Sequence, residues 1–436
     1  MAHIEVCPSA RDVLARWILA TLCIGGCGFS LLLAAAGYLA RQQTTAAITR
    51  AAKLVPFNAD YLISLAELKP AESGALLRQA VQQNPYRAEI WIRLGLQSEM
   101  QSHDVAGAER EYLNAAHYDH TYMPLWTLTS FYLRQYNRNK FVAAAKSALE
   151  ITPYDSGPVF SEGYALGLDD QEIMRLIPQR PEVAFGYLQF VLASNRADAL
   201  EPAVLRAASF RVPARRDEDG QRANWASLLG IAGDRLIALN RIHSAVGAWK
   251  RMHETGWIPL PAPSAAVPLT NGSFRFPISG HGFDWLLYSV PGVSADQMPE
   301  SQKLRFSLSG TQPEQCRLMQ QVMVLRPGGE YRLSWQAEST DFQSALGLTW
   351  KLMPLAGGSE PDILTSPDLF TGTGRSDWTF TVPRRSDSFL LTLELKRPLG
   401  QMRAEGAFAI SDLSLVPGPR PDLEGSNSSL RGFDKP

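Results

Sequence analysis

The feature that most constrains this chain is an uninterrupted apolar stretch near its start. The stretch runs from Trp17 to Ala40, contains no charged side chain, and lies between Arg16 and Arg41. A helix of that length extends about 36 Å at ~1.5 Å per residue, which exceeds the ~30 Å hydrocarbon core of a bilayer. The sequence therefore predicts a transmembrane helix, with everything after Arg41 on one side of a membrane.

A cleaved signal peptide is the main alternative to an anchor. Its apolar region is usually about 7–15 residues long, which is shorter than this stretch, although Ala34, Ala35 and Ala36 offer small residues for cleavage. A buried helix of a soluble domain fits the length and position less well. The anchor is therefore the interpretation that the length favours.

The orientation of the predicted helix does not follow from its flanking charges. Arg11 and Arg16 lie on one side, and Arg41, Arg50 and Lys53 lie on the other, so the positive-inside rule does not decide. A short tail before a long body more often translocates the body. We therefore expect residues 1–16 in the cytoplasm and the bulk in the periplasm, at a bacterial inner membrane.

Charge and cysteine content exclude two classes of protein. The 42 basic and 43 acidic residues nearly cancel and form no long run of one sign, so a nucleic-acid partner is not expected, because phosphate binding needs a concentrated basic face. Cys7, Cys23 and Cys27 lie before or within the apolar stretch. Cys316 is then the only thiol of the body, which excludes an intramolecular disulfide scaffold there.

A repeat begins soon after the apolar stretch. Ala80, Ala115 and Ala148 are spaced by 35 and 33 residues, and Trp91 and Trp126 are 35 apart. A period near 34 residues is typical of a repeated pair of antiparallel helices. The spacing therefore predicts a helical solenoid.

The motifs in these segments resemble the tetratricopeptide repeat. In one unit Trp91, Leu94 and Gly95 match its W-x2-L-G opening, and Ala108, Tyr112 and Ala115 match the second helix after a one-residue insertion, while Pro85 and Pro153 fall where that helix ends. The resemblance covers residues 44–156, and we interpret residues 158–256 as degenerate repeats. It implies a solenoid over residues 44–256 whose concave surface receives a partner protein.

The candidates for that docking role are polar residues on the predicted helices. They are Arg93, Arg134, Asn137 and Arg138. The alternative for each is a solvated helix face. His103, His117 and His120 have no paired carboxylate or thiolate in the sequence pattern, so we predict no metal site there.

The composition changes at residues 257–268. Four prolines (Pro259, Pro261, Pro263 and Pro268) predict an extended, semi-rigid linker. Alternating apolar and polar residues follow at 304–308, 331–335, 346–352, 378–382, 390–395 and 408–415. Such segments, separated by Gly, Pro and Ser turns, predict an antiparallel β-sandwich over residues 269–417. Residues 418–436 are rich in Pro, Gly and Ser, which favours a disordered tail.

Four motifs of this region, in order, resemble the galactose-binding-like jelly roll of carbohydrate-binding modules. They are Asn271-Gly-Ser-Phe274, the segment 321–325 leading to Pro327-Gly328, the segment 331–334, and the closing segment 410–415. The resemblance implies a jelly roll over about 270–417. Arg275 stands where such modules often have an acidic calcium ligand, and only Asp412 remains at the far end, so calcium is not expected.

The resemblance also raises the question of a sugar site. A glycan needs flat aromatic faces with polar groups beside them, and the candidates are Trp285 and Tyr288, with Asp284 and Arg275 as polar companions. The segment around Phe283 follows His281-Gly282, which predicts an exposed loop, although a structural plug is the alternative. Three other tryptophans, Trp335, Trp350 and Trp378, alternate within predicted strands and are expected in the core.

No catalytic motif is recognisable. The sequence has no G-x-S-x-G elbow, H-E-x-x-H helix, phosphate-binding loop or dinucleotide fingerprint. Glu338, Asp341 and Glu394 are the best-placed acids of the β region, and we interpret them as surface charges. An enzyme and a cofactor are therefore not expected, although a glycan-active enzyme would need a pair of carboxylates in a cleft.

Together these patterns predict a multidomain protein with one N-terminal transmembrane helix, an all-α solenoid and a C-terminal all-β jelly roll. The predicted function is a non-catalytic, membrane-anchored scaffold that docks proteins through its repeats and a polysaccharide through its sandwich. By fold-level analogy this suggests an accessory factor in surface-polysaccharide assembly or export. The alternative is a structural subunit or assembly factor of a membrane complex that binds no sugar.

Overall fold

The computed structural model describes residues 10–212, 219–340, 347–355, 363–368, 373–400 and 403–418. The predictions for residues 1–9, for Asp341 and for the tail beyond Gly418 concern residues outside these ranges. Within them the chain has fourteen α-helices, a 3-10 turn at Pro70–Glu72, and ten strands.

The helices occupy the first 255 residues. They are α1 (Ala10–Arg41), α2 (Thr45–Leu54), α3 (Ala59–Leu68), α4 (Ser73–Gln83), α5 (Ala88–Met100), α6 (Val105–Tyr118), α7 (Tyr122–Arg134), α8 (Arg138–Ile151), α9 (Gly157–Ala165), α10 (Asp170–Leu176), α11 (Pro181–Ala193), α12 (Ala197–Ala208), α13 (Asp219–Ala238) and α14 (Ile242–Thr255).

The strands follow. They are β1 (Leu286–Leu287), β2 (Val293–Met298), β3 (Lys303–Ser309), β4 (Gln315–Val324), β5 (Glu330–Thr340), β6 (Leu348–Pro354), β7 (Leu364–Thr365), β8 (Gly374–Thr381), β9 (Ser388–Lys396) and β10 (Glu405–Pro417).

The chain forms two compact units, Met1–Pro178 and Gln179–Pro436. The first contains α1–α10, and the second contains α11–α14 together with all ten strands. The division therefore falls inside the predicted repeat region 44–256 rather than at the proline-rich segment. The last four helices belong with the sandwich.

The first unit is built from antiparallel helix pairs, as the repeat spacing predicts. Helix α3 packs on α4, α5 on α6, and α7 on α8. Gly95 of α5 allows the close approach of α6, because a Cβ there would lie 2.6 Å from Cε1 of the fully buried Tyr112 ring. Asn58, Asp104 and Asn137 cap the starts of α3, α6 and α8 through their side chains.

Helix α1 contains a segment, Trp17–Arg41, that is long and apolar enough to cross a membrane. A membrane span and a signal sequence both meet this criterion. Its C-terminal end packs on the first repeat helix, because Ala36 is fully buried in one cluster with Ile48, Ala51 and Val55.

The second unit contains a sandwich of two antiparallel sheets. One sheet has the strand order β1-β4-β9-β6-β7, and the other has the order β2-β3-β10-β5-β8. Their inner faces share one apolar core that includes Trp335, Trp350 and Trp378. The fold predicted from sequence, a helical solenoid followed by an all-β sandwich, is confirmed.

The proline-rich segment 257–268 forms neither helix nor strand, and its contacts hold it at several points. Trp257 is buried and its indole N–H donates to the Phe210 carbonyl at 2.8 Å. The Trp249 indole donates to the Pro261 carbonyl at 3.2 Å, and the Tyr331 hydroxyl donates to that of Ala265 at 3.2 Å. The segment therefore bridges α14 and the sandwich as a fixed strap.

Candidate functional site

Arg134, a predicted docking residue, is partly exposed to solvent and pairs with a buried carboxylate between two neighbouring repeats. Its guanidinium donates to both carboxylate oxygens of Glu99 at 2.8 Å, and the Tyr112 hydroxyl donates to the same carboxylate at 2.9 Å. Burial would raise the pKa of Glu99, but the hydrogen bonds from Arg134 and Tyr112 outweigh it and hold that pKa below its ordinary value. Arg134 therefore ties α7 to α5.

The other predicted docking residues also have partners within the chain. Arg93 pairs with Glu67 and Glu89, and Arg138 pairs with Glu172. The side chain of Asn137 accepts a hydrogen bond from the backbone N–H of Lys140 at 3.2 Å, which caps α8. These contacts do not test a docking role, which stays a prediction for all four residues.

One of the four, Arg93, lines an open groove on the first unit. The groove has a cavity volume of about 300 Å³ and is lined by α3, α4 and α5. Leu96 and Met100, one helical turn apart on α5, line it and remain exposed. Neither residue was predicted from the sequence as part of a binding surface. The signal was present, because the two apolar side chains lie one helical turn apart on α5 among polar neighbours.

A second polar contact joins α7 to α9. The Ser130 hydroxyl donates to Oε1 of Glu162 at 3.3 Å, whereas Oε2 of Glu162 is buried and has no hydrogen-bond partner among the described residues. Burial raises the pKa of Glu162 above its ordinary value. The charged form of this carboxylate is therefore disfavoured, in contrast to Glu99.

The structure corrects the predicted exposure of Trp285 and Asp284. Trp285 has an exposed fraction of 0% and Asp284 of 2%, and the Trp285 indole donates to the Asn271 carbonyl at 3.2 Å. Asp284 accepts hydrogen bonds from the backbone N–H of Ser279 and the side chain of Asn271, and burial raises its pKa. Neither side chain presents a face to a sugar.

The loop that carries these residues packs against the last helices instead of facing solvent. Phe283 meets the Trp249 ring edge to face, with centroids 5.8 Å apart. Asp234 of α13 accepts hydrogen bonds from the backbone N–H of Gly282 at 2.6 Å and from Nδ1 of His281 at 2.6 Å. This loop forms a contact between α13, α14 and the sandwich, so the plug interpretation is the correct one.

The remaining two glycan candidates are accessible but lie in different surroundings. Tyr288 is half-buried, and its hydroxyl donates to the side-chain oxygen of Gln320. Arg275 is exposed, with its guanidinium 5.9 Å from the centroid of the Phe276 ring. The predicted group of four therefore does not form one surface.

Tyr288 belongs to a row of polar side chains that crosses the outer face of one sheet. Trp350, Leu391 and Leu393 point into the core, so their strand neighbours Lys351 and Thr392 point outward. Thr392 is paired in register with Gln320 on one side and Lys351 on the other. Its hydroxyl is buried and finds no hydrogen-bond partner in the part of the chain that the structure describes.

Glu394 extends this row and was wrongly interpreted as a surface charge. It is buried, and Lys351 donates to its Oε1 at 2.6 Å. Glu338 is partly exposed and paired with Lys303 at 2.7 Å. These two acids lie on β9 and β5, in different sheets, so they do not form a carboxylate pair.

A second cavity, missed from the sequence, lies among α11, α12 and α13. Its volume is about 340 Å³, and its lining is mostly apolar and includes Arg196 and Arg235. The Arg235 guanidinium donates to the side-chain oxygen of Asn195. Among the described residues, no group of three His, Cys, Asp or Glu side chains is close enough to hold a metal ion.

No family model and no curated protein matches this chain. Among solved structures it is similar to a CBM4 carbohydrate-binding module, with 13% identity and a TM-score of 0.25, covering 34% of this chain and 98% of that one. The xylan-binding domain CBM22-1 from Paenibacillus barcinonensis gives 13% identity and a TM-score of 0.24, covering 35% and 97%.

The helical part also has similar solved structures. The C-terminal part of a TPR repeat-containing protein from Cytophaga hutchinsonii gives 13% identity and a TM-score of 0.26, covering 51% of this chain and 95% of that one. The helix pairing and the strand order of the chain itself define its fold.

Proposed function

We propose that the protein is a non-catalytic scaffold, tethered to a bacterial inner membrane by α1 with its bulk in the periplasm. Its helical repeats dock a partner protein of a membrane complex. The observation that carries this proposal is the groove on α3–α5. Its apolar side chains Leu96 and Met100 are exposed to solvent, whereas the neighbouring Arg93 is paired within the chain. Exposed apolar side chains beside a paired Glu67 and Arg93 fit an amphipathic protein segment.

The acids of the sandwich support a role without catalysis. Glu338 and Glu394 each have a lysine partner and lie in different sheets. Hydrolysis of a glycosidic bond needs two carboxylates across one cleft. Because its Phe283 loop packs against α13 and α14, the sandwich serves in this proposal as a packing module for the last helices, as in a structural subunit or an assembly factor.

A second candidate function is glycan contact in surface-polysaccharide assembly or export. The observation that favours it is the polar row in which Tyr288, Gln320 and Lys351 lie around the buried Thr392, because these three half-buried side chains offer hydroxyl, amide and ammonium groups across one sheet face. The row replaces the loop of Trp285 as the place where a sugar would bind.

The docking proposal is tested by affinity capture of the full chain from membranes in a mild detergent, with quantification of the co-purified proteins. A Leu96→Glu, Met100→Glu variant is expected to lose its main partner because charge enters the apolar groove. Leu113→Glu is the matched control, since Leu113 is exposed on α6 and outside the groove lining. Equal recovery of the partner by both variants would refute docking in this groove.

The glycan candidate is tested by a glycan array with the same detergent-solubilised chain. Gln320→Ala is expected to abolish binding if the polar row is the site, whereas Arg275→Ala leaves it unchanged. The opposite pattern would place the site at the Arg275 loop. Absence of binding by the parent chain would leave the sugar-free subunit as the function.

A further inference from the structure

The turn that follows α2 lies beside the middle of the apolar helix. The rings of Phe29 and Phe57 stack with centroids 5.9 Å apart and planes 19° apart. Only residues 42–44 separate α1 from α2, and Ala36 is buried against Ile48. Helix α2 therefore runs back along the second half of the apolar segment.

The part of α1 that has no neighbouring helix is too short to cross a bilayer. From Trp17 to Phe29 the helix rises about 18 Å at ~1.5 Å per residue, whereas the hydrocarbon core is ~30 Å thick. As long as α1 keeps its contacts with α2, roughly 12 Å of the bilayer must extend past Phe57. The end of α2 then lies within that depth.

The side chains at the end of α2 suit such a position. Phe57 has an exposed fraction of 58% and Leu54 of 40%. Arg50 and Lys53 precede them on α2 and are exposed. Long basic side chains reach the headgroup region from just inside the apolar boundary, and they attract anionic lipids.

A neighbouring aromatic residue lies on the same edge of the solenoid. Tyr86, at the turn before α5, has an exposed fraction of 75%. The next residue, Arg87, pairs with Asp60 in the first turn of α3, immediately after Phe57 and Asn58. Tyrosine is enriched at the membrane–water interface because its ring is apolar and its hydroxyl is polar.

We infer that the edge formed by Leu54, Phe57 and Tyr86 is immersed in one leaflet of an anionic bilayer beside α1. The inference rests on the proposed tethering by α1. It adds that the first repeat is itself a membrane-contacting element, which fixes the repeats close to the lipid surface.

The test uses the full chain with Cys7, Cys23, Cys27 and Cys316 replaced by serine. Single cysteines are introduced by Phe57→Cys, Leu22→Cys or Tyr136→Cys and labelled with an environment-sensitive fluorophore. Each protein is reconstituted into phosphatidylcholine–phosphatidylglycerol vesicles that contain spin-labelled lipid. Tyr136, with an exposed fraction of 83%, follows α7 at the opposite ends of the helix pairs and is the matched exposed control.

Lipid quenching is expected at positions 57 and 22 and absent at position 136. Quenching at 22 without quenching at 57 would overturn the inference while leaving the tether intact, because α1 would then have separated from α2. Equal quenching at 57 and 136 would overturn it as nonspecific adsorption. No quenching at 22 would overturn both the tether and the inference. Thermal melts of the labelled proteins confirm that each retains its fold.

Discussion

Asp234 on α13 accepts a hydrogen bond at 2.6 Å from the backbone N–H of Gly282, the residue before Phe283. The same carboxylate contacts Nδ1 of His281 at 2.6 Å. One side chain of the helical region thus holds the loop from which the sandwich begins. The aromatic contact between Trp249 and Phe283 lies directly beside it.

Replacing Asp234 with alanine should loosen this loop. Asp234→Ala removes the acceptor of two hydrogen bonds and is expected to reduce the free energy of unfolding by about 1–3 kcal/mol. Hydrogen exchange at the Gly282 amide should accelerate, which mass spectrometry of loop peptides measures. His243→Ala is the control, because His243 is largely exposed and its 3.4 Å contact with Asp387 contributes little. Unchanged exchange in Asp234→Ala would contradict the assigned contact.

Alanine substitutions at two glycines of the same loop distinguish the cost of backbone strain from the cost of overpacking. Both Gly280 and Gly282 have positive φ, at 75° and 59°, so alanine at either position costs about 1–2 kcal/mol of strain. A Cβ at Gly282 would also overlap the Trp249 ring, whereas at Gly280 its nearest neighbour is 3.9 Å away. Gly282→Ala should therefore lower the melting temperature more than Gly280→Ala does. Equal losses would mean that the Trp249 contact is absent in solution.

Two glutamates of the repeats should respond to pH with opposite signs. The pKa of Glu99 is lowered, so its stabilising contribution is present above its ordinary value of 4.5 and is lost as the pH falls through the folded value. The pKa of Glu162 is raised, so its favourable contribution exists below 4.5 and is lost as the pH rises through the folded value.

Chemical denaturation of the glutamine variants across this pH range measures both effects. At neutral pH Glu99→Gln should destabilise the protein by about 1–3 kcal/mol because it weakens charge-assisted hydrogen bonds. Glu162→Gln should stabilise it there, and both differences should shrink as the carboxylates become protonated in acid. The same sign for both variants at neutral pH would contradict this assignment.

The close contact between α5 and α6 gives a further prediction. Gly95→Ala would place a Cβ 2.6 Å from the Tyr112 ring and should cost about 1–3 kcal/mol by overpacking. Gly247→Ala is the control within a helix, because its Cβ would meet nothing within 4 Å. That change should stabilise the protein by about 0.5–1 kcal/mol through helix propensity. Thermal melts of the two variants should therefore shift in opposite directions.

Signals that repeat along the chain predict the fold well. The 35-residue spacing of Trp91 and Trp126 and the strand alternation around Trp350 reflect local geometry, so both helix pairs and sheets follow from them. The same period also relates Glu99 to Arg134, and a spacing of 34 relates Arg138 to Glu172. These ion pairs between repeats could therefore have been predicted from the sequence spacing.

The burial of the Trp285 loop could not be predicted from the sequence. A Gly-rich segment with aromatic residues has the same local pattern whether it faces solvent or another element. What buries it is Asp234 and Trp249, which lie 48 and 34 residues before their partners Gly282 and Phe283. The polar row that includes Thr392 was hidden for a similar reason, since sheet register brings its members together from three strands.

The strap from Trp257 to Pro268 has a practical consequence for how this protein is dissected. Truncation at the strap would separate Phe283 from Trp249. Each of the two fragments would then expose an apolar surface that is buried in the full chain. A fragment that starts at Gln179 keeps both partners together. The solubility of the sandwich expressed alone would therefore reflect this newly exposed surface. It would not reflect the unit of four helices and two sheets that the full chain forms.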